Sequence, residues 1–331
     1  MVGRWFVFLI SMTALLAMTS VGVCFDDLTR GEIPLGDGEE EPLTVSADVM
    51  AETLESENIW GAMRCNSACG SCVEGECDCF RWEFLPRDSI YPFYLADGKQ
   101  SRMAGYLVES LDDATLLDGT LGGRFGIIRY GDSTPHPMKR GMQVDLEGSA
   151  QVRLDLDREH DVRSVDFRAG VPISFSFGKL HTRMGYYHLS SHVGDEFLIR
   201  FPDFERLNYS RDVLFLGSGY WLDSVTRVYA EAGWAFYSDV SEPWEFIFGI
   251  EEAPRTATGK RGAPFYAINA RLREEVGFGG AITAQVGWAW RSQFNTGLLR
   301  TGLHYFNGKS DQYSFYNDHE QIVGIGLWYD Y

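Results

Sequence analysis

A histidine and a serine two residues apart form the pair in this sequence best suited to chemistry. They are His188 and Ser190, within the segment MGYYHLSSH. In a β-strand, residues i and i+2 project from the same face, so the imidazole can approach the hydroxyl after a modest change of rotamer. A neutral serine is a poor nucleophile, and an adjacent base is what activates it. The spacing fits nucleophilic chemistry, and it also fits a polar strand end that runs into a surface loop.

The same segment resembles the active-site strand of the outer membrane phospholipase A family. That family is a twelve-stranded barrel with a His-x-Ser pair and a calcium requirement. The resemblance implies that His188 is the general base and Ser190 the nucleophile. The family orients its histidine with an Asn about twelve residues after the serine, and Pro202 holds that position here.

Two other polar residues are candidates for orienting the histidine. The apolar face of the next predicted strand is defined by residues of one parity, namely Leu207, Tyr209, Val213 and Phe215. Glu205 shares that parity, which gives an arrangement of the Ser-His-Glu type. Asn208 has the opposite parity and is expected on the polar, water-facing side of the same strand.

Two carboxylates just after the serine are the candidate metal ligands. Asp195 and Glu196 supply hard oxygen atoms of the kind that calcium takes. A hydrated turn explains the two side chains equally well. Calcium is the one cofactor that the sequence suggests.

The elements that would position these residues are long amphipathic strands. Between Met142 and Asp157 the even positions are apolar, apart from Gly148, and the odd positions are polar or charged. This period of two is that of a β-strand, and the run is about twice as long as an ordinary globular strand. Similar segments begin or centre near residues 103, 122, 165, 180, 206, 228, 245, 266, 282, 298 and 321, which gives about twelve strands.

The pattern predicts an all-β, closed antiparallel transmembrane barrel of the outer-membrane type. A sheet of about twelve strands makes a lumen too wide to fill easily with apolar side chains, so the apolar face is expected to meet lipid. Aromatic residues make up 14% of the chain, and the last strand ends on the aromatic Tyr331. That ending resembles the C-terminal strand recognised by barrel-assembly machinery. A secreted β-sandwich with an aromatic core is the alternative.

Strand parity then gives the side on which the pair lies. Leu180, Thr182, Met184 and Tyr186 share the apolar face, and extrapolation by twos places His188 and Ser190 on the same lipid side. The opposite face carries charged residues that either tune a channel or form an internal salt-bridge plug: Arg153, Arg168, Arg183, Arg227, Arg271, Arg291, Asp145, Glu147, Asp155 and Glu231.

The N-terminal quarter divides into three further segments before a barrel at residues 83–331. Residues 1–22 have the pattern of an export signal peptide, with Arg4 before an apolar stretch. Residues 23–60 form an acidic linker expected to be disordered. Residues 61–82 hold five of the six cysteines, which favours a disulfide-stapled knot over zinc thiolates in an exported chain. The sixth, Cys24, leaves lipidation as an alternative to ordinary cleavage.

The predicted role follows from these features together. A formal net charge of −18 argues against nucleic-acid partners. The segments from Trp82 to Arg102 and from His188 to Glu196 resemble a bacterial barrel family, domain of unknown function 1207, which implies location in the outer membrane but no activity. Two hypotheses remain, a phospholipase-A-like acyl hydrolase and a non-catalytic barrel that is a narrow pore or structural. Expected partners are outer-membrane lipids, barrel-assembly machinery and, as an option, a second copy of the chain.

Overall fold

The computed structural model describes residues 80–111, 114–132, 140–292 and 297–331, and the backbone alone of residues 72–73 and 76–77. The predicted signal peptide, the acidic linker and the pairing of the cysteines lie outside the described residues. Among the described residues, no helix has both the length and the apolar composition needed to cross a bilayer.

Twelve antiparallel strands make up the wall of the molecule, and each corresponds to one segment predicted from the alternation. In chain order they are β1 (Met103–Ser110), β2 (Ala114–Asp132), β3 (Gly141–Asp155), β4 (Asp161–Phe177), β5 (Leu180–Val193), β6 (Tyr209–Trp221), β7 (Thr226–Ser238), β8 (Trp244–Glu252), β9 (Ala263–Arg273), β10 (Gly280–Arg291), β11 (Leu298–Lys309) and β12 (His319–Asp330). A six-residue helix, α1 (Asp195–Arg200), follows β5.

The sheet closes on itself between the first and the last strand. β1 pairs with β2 on one side and with β12 on the other, where Met103 lies opposite Tyr329 and Ser110 opposite Ile322. Each remaining strand pairs with its neighbours in the sequence. The predicted closed antiparallel barrel of twelve strands is therefore confirmed.

The polar face of each strand lies inside the barrel and the apolar face outside. In β3 the odd residues, among them Asp145, Glu147 and Arg153, are buried, whereas Leu146 is half exposed on the outer surface. Outward aromatic residues lie near both ends of the strands, including Trp234, Trp244, Tyr220, Trp288 and Tyr331. An apolar outer band between aromatic belts is the surface of an outer-membrane-type barrel.

A stretch without regular secondary structure fills the lumen before the first barrel strand begins. We call residues 88–102 the plug. Tyr91, Tyr94 and Ala96 in the plug are fully buried. A short strand, Phe80–Phe84, precedes the plug and pairs with the end of β2. The sequence predicts neither feature, because this stretch has no hydrophobic period.

Ion pairs fasten the plug to several strands of the wall. Lys99 Nζ lies 2.6 Å from Asp166 in β4, and Asp97 pairs with Arg271 in β9. Arg227 in β7 donates hydrogen bonds to the carbonyls of Pro92 and Phe93. The plug is therefore held from opposite sides of the barrel.

Most of the charged lumen residues predicted from the sequence form ion pairs of this kind rather than the lining of an open channel. Arg168 lies 2.9 Å from Glu147, and Arg183 lies 2.6 Å from Glu231. The loop after β11 also folds inward, and its Tyr313 donates a hydrogen bond to Glu245. Low dielectric surroundings make such pairs mutually dependent, since removal of one partner leaves a buried charge unpaired.

Candidate active site on the outer face

The outer face of β5 carries both residues of the predicted pair. Burial alternates along this strand: Tyr187, Leu189 and Ser191 are buried in the lumen, whereas the even-numbered residues between them face outward. His188 and Ser190 therefore share the outer face, as the strand parity predicts. The side chain of His188 is 42% exposed there.

A carboxylate on the neighbouring strand orients the histidine. His188 in β5 lies directly opposite Asp212 in β6. The Nδ1 atom of His188 donates a hydrogen bond of 2.8 Å to Asp212 Oδ1. The hydroxyl of Tyr186 donates to the same oxygen at 2.6 Å. Two donors from β5 thus hold one carboxylate of β6.

This arrangement has the order of groups found in a catalytic triad. When Nδ1 carries the proton and donates it in a hydrogen bond to a carboxylate, Nε2 is left as the basic nitrogen. In a catalytic triad, Nε2 is the atom that accepts the proton of the nucleophile. Among the described residues, no hydrogen bond joins His188 to Ser190. Unliganded hydrolases often have this bond long, and it tightens when substrate arrives.

Glu205 and Asn208 do not orient His188, so this part of the sequence prediction is wrong. Both lie in the loop between α1 and β6 and are exposed. Asn208 donates a hydrogen bond to Asp239 instead.

The reason for this error is the parity of β6. Tyr209, Val213 and Phe215 are buried in the lumen, in one cluster with Tyr187 and Leu189. The apolar residues of odd parity therefore face inward in this strand, and the even residues face outward. The register between β5 and β6 is the signal that identifies Asp212 as the partner of His188. Because a long loop separates the two strands, that register cannot be derived from the sequence.

Four outward residues surround Ser190 and define its environment. His188 and His192 flank it along β5. Phe167 in β4 and Ser210 in β6 lie opposite it in the two neighbouring strands. The serine thus has a base on one side, an apolar ring on the second and a second hydroxyl on the third.

The predicted calcium ligands lie in the first turn of α1. Asp195 and Glu196 are both exposed. Among the described residues, no group of three or more His, Cys, Asp or Glu side chains is arranged to hold a metal ion. Calcium normally takes six or more oxygen ligands, so these two carboxylates alone do not make a fitted site.

The barrel is similar in form to several solved structures. Outer membrane phospholipase A from Escherichia coli shows 12% identity and a TM-score of 0.45, covering 72% of this chain and 93% of that protein. The dimeric outer membrane phospholipase of Salmonella typhi with bound calcium shows 12% identity and a TM-score of 0.46, covering 72% and 91%. The KdgM porin shows 7% identity and a TM-score of 0.38, covering 68% and 97%.

No curated protein matches the chain. A family described as a protein of unknown function, DUF1207, matches residues 76–331, which include the plug and every barrel strand. The match covers well over half of the sequence, and the chain belongs to the DUF1207 family.

Proposed function

We propose that this outer-membrane-type barrel is an acyl hydrolase that cleaves ester bonds of membrane lipids. The observation that carries the proposal is the hydrogen bond from His188 Nδ1 to Asp212 Oδ1 at 2.8 Å, with Ser190 two residues away on the same outer face. A buried, lumen-facing triad would be closed to a lipid. This triad projects from the side of the barrel that the acyl chains contact.

The proposed reaction follows from the roles of the three side chains. Ser190 Oγ attacks the ester carbonyl while His188 Nε2 takes its proton, and Asp212 stabilises the resulting imidazolium. The tetrahedral intermediate collapses, the ester C–O bond breaks, and the leaving alcohol takes the proton from His188. Water then hydrolyses the acyl-serine by the reverse sequence of proton transfers.

The position of the triad along the strands also supports a lipid ester as substrate. His188 and Ser190 lie close to the end of β5, and Asp212 lies close to the start of β6. Lipid esters lie near the boundary between hydrocarbon and headgroups, not at the bilayer midplane. Outward Phe167, which is 47% exposed beside Ser190, offers an apolar surface to an acyl chain.

Hydrolysis of phospholipid in mixed detergent micelles tests the proposal. We expect the wild-type protein to release fatty acid, and Ser190→Ala and His188→Ala to lower kcat by several orders of magnitude. Ser218→Ala is the matched control, because Ser218 is an outward serine near the opposite end of β6. Hydrolysis that persists in Ser190→Ala would refute the proposal. The assay is run with calcium and with a chelator, although no step above depends on the metal.

A non-catalytic barrel is the second candidate, as a narrow pore or a structural protein. The filled lumen favours the structural form over the pore, because the plug and the loop after β11 occupy the space that ions would cross. Planar-bilayer recordings distinguish the two, and steady single-channel conductance without hydrolysis would support a pore.

A further inference from the structure

A second serine faces the proposed nucleophile across the strand boundary. Ser190 in β5 and Ser210 in β6 are direct cross-strand partners, one pair along from His188 and Asp212. Both serines face outward. Side chains that are direct cross-strand neighbours have Cβ atoms about 4.5–5.5 Å apart. The hydroxyl of Ser210 therefore lies within reach of the oxygen on a carbonyl carbon that is bonded to Ser190 Oγ.

Attack on an ester creates a negative charge that the protein must stabilise. In many hydrolases, free backbone N–H groups at a turn or a helix N-terminus do this. Ser190 lies in a strand that is paired on both sides, with Phe167 opposite it in β4 and Ser210 opposite it in β6. Its own N–H is therefore used by the sheet ladder. A side-chain donor on the outer face must supply the stabilisation.

The neighbours of Ser190 leave few side chains for that task. His188 is occupied as the base, and Phe167 has no donor. The ring of His192 packs near Phe167, with centroids 6.0 Å apart. No hydrogen bond within the described part of the chain engages the Ser210 hydroxyl, so that group is available to donate.

We propose that Ser210 is a catalytic residue whose hydroxyl donates a hydrogen bond to the oxyanion formed on the substrate carbonyl when Ser190 attacks. This inference rests on the proposed function and assigns one more residue to the same site. As the Ser190 Oγ–carbon bond forms, the carbonyl π electrons move to oxygen, and the Ser210 O–H points to that oxygen. Collapse of the intermediate returns the electrons to the carbonyl and releases the alcohol.

Kinetics of Ser210→Ala with micellar phospholipid test the assignment. Loss of one oxyanion donor lowers kcat by about 10²- to 10³-fold in a known hydrolase, and we expect a loss of roughly 10- to 100-fold with KM changed little. Ser210→Thr keeps the hydroxyl and should stay within about threefold of wild type. Ser218→Ala, an outward serine away from the site, is the control for the substitution itself.

Covalent labelling separates donor from nucleophile. A fluorophosphonate ester, followed by peptide mapping, should modify Ser190 in the wild type and in Ser210→Ala, more slowly in the variant. Modification of Ser210 instead would make Ser210 the nucleophile and overturn the proposal. Ser190-dependent hydrolysis that is unchanged in Ser210→Ala, or is lost in His192→Ala alone, would overturn this inference and leave the proposed function standing. Hydrolysis that does not depend on Ser190 would overturn both.

Discussion

Asp212 offers His188 a charged oxygen, where an asparagine would offer a neutral one. In the proposed reaction, this charge would stabilise the imidazolium that forms when His188 takes the serine proton. The hydroxyl of Tyr186 donates to the same oxygen, and this second donor keeps the oxygen turned toward His188. Tyr186 therefore acts through Asp212 as a positioning residue.

The first prediction concerns this carboxylate. We expect Asp212→Ala to lower kcat by about 10²- to 10³-fold, because the base loses its orientation and its counter-charge. Asp212→Asn should lower kcat less, since Tyr186 still favours the conformer that presents the amide oxygen to His188. Phospholipid hydrolysis in micelles measures both.

A double substitution is the control for this first prediction. Without the Tyr186 hydroxyl, the amide of Asp212→Asn can present its NH₂ group to the ring and impose the wrong tautomer. The kcat of the double variant Tyr186→Phe, Asp212→Asn should therefore fall to that of Asp212→Ala. Equal activities of Asp212→Asn with and without Tyr186→Phe would show that the hydroxyl does not position the carboxylate.

At the scale of single residues, the sequence singles out the proposed pair of His188 and Ser190 but not the carboxylate that contacts it. His188 and Ser190 follow from spacing and parity along one strand, which are local properties. Asp212 depends on the register between two strands, which is set by packing inside the lumen. Val213 and Phe215 are apolar and would be expected to face lipid, but they face the lumen. Hydrophobicity alone therefore assigns the two faces of β6 the wrong way round.

At the scale of elements, β5 is positioned by a close approach to β4 just beyond its end. A Cβ built on Gly194 would lie 1.7 Å from the carbonyl oxygen of Val162. The N–H of Gly194 also donates to the carbonyl of Arg163. Only a residue without a side chain fits between the end of β5 and the start of α1.

The second prediction is that Gly194→Ala separates the end of β5 from β4. Forced displacement of a packed backbone costs about 1 to 3 kcal/mol, and the unfolding temperature in detergent should fall accordingly. Gly105→Ala is the matched control, because a Cβ there would meet no atom within 4 Å. Similar unfolding temperatures for the two variants would contradict the prediction.

The twelve strand segments are predictable from the sequence because each has its own alternation of apolar and polar residues. The plug is not predictable in this way. Plug residues such as Tyr94 and Asp97 are ordered by contacts with many strands at once, and that information is spread across the chain. Such non-local contacts leave no period in the local sequence.

At the scale of the whole molecule, the stability of the barrel depends on its charged interior. Arg227 is fully buried, pairs with Glu251 and donates to two carbonyls of the plug. Arg200, the last residue of α1, is by contrast an exposed arginine that pairs with Asp161 at the start of β4. The two arginines differ in burial and in the number of groups that depend on them.

The third prediction is a large difference between these two arginines. Arg227→Ala leaves Glu251 buried without its cation, and we expect a loss of about 3 to 5 kcal/mol in the free energy of unfolding. Arg200→Ala should change the free energy of unfolding far less, because an exposed ion pair is screened by solvent. Denaturant unfolding in detergent measures both, and comparable losses would show that the lumen pair does not hold the plug.

The fourth prediction concerns the outer surface. Leu216 lies near the middle of β6 and is 58% exposed on the outer face. Leu216→Arg places a charge where lipid is expected and should cost about 2 to 4 kcal/mol in a bilayer. Leu216→Met is the matched control, and folding into lipid vesicles is the measurement. Equal folding of both variants would contradict a lipid-facing surface.

The plug continues directly into β1, and its Arg102 lies 2.8 Å from Asp330 at the end of β12. The ion pair therefore joins the plug to the two strands whose pairing closes the barrel, since Met103, the next residue after Arg102, lies opposite Tyr329 in β12. A change at Arg102 would thus loosen the plug and the closing strand pair together.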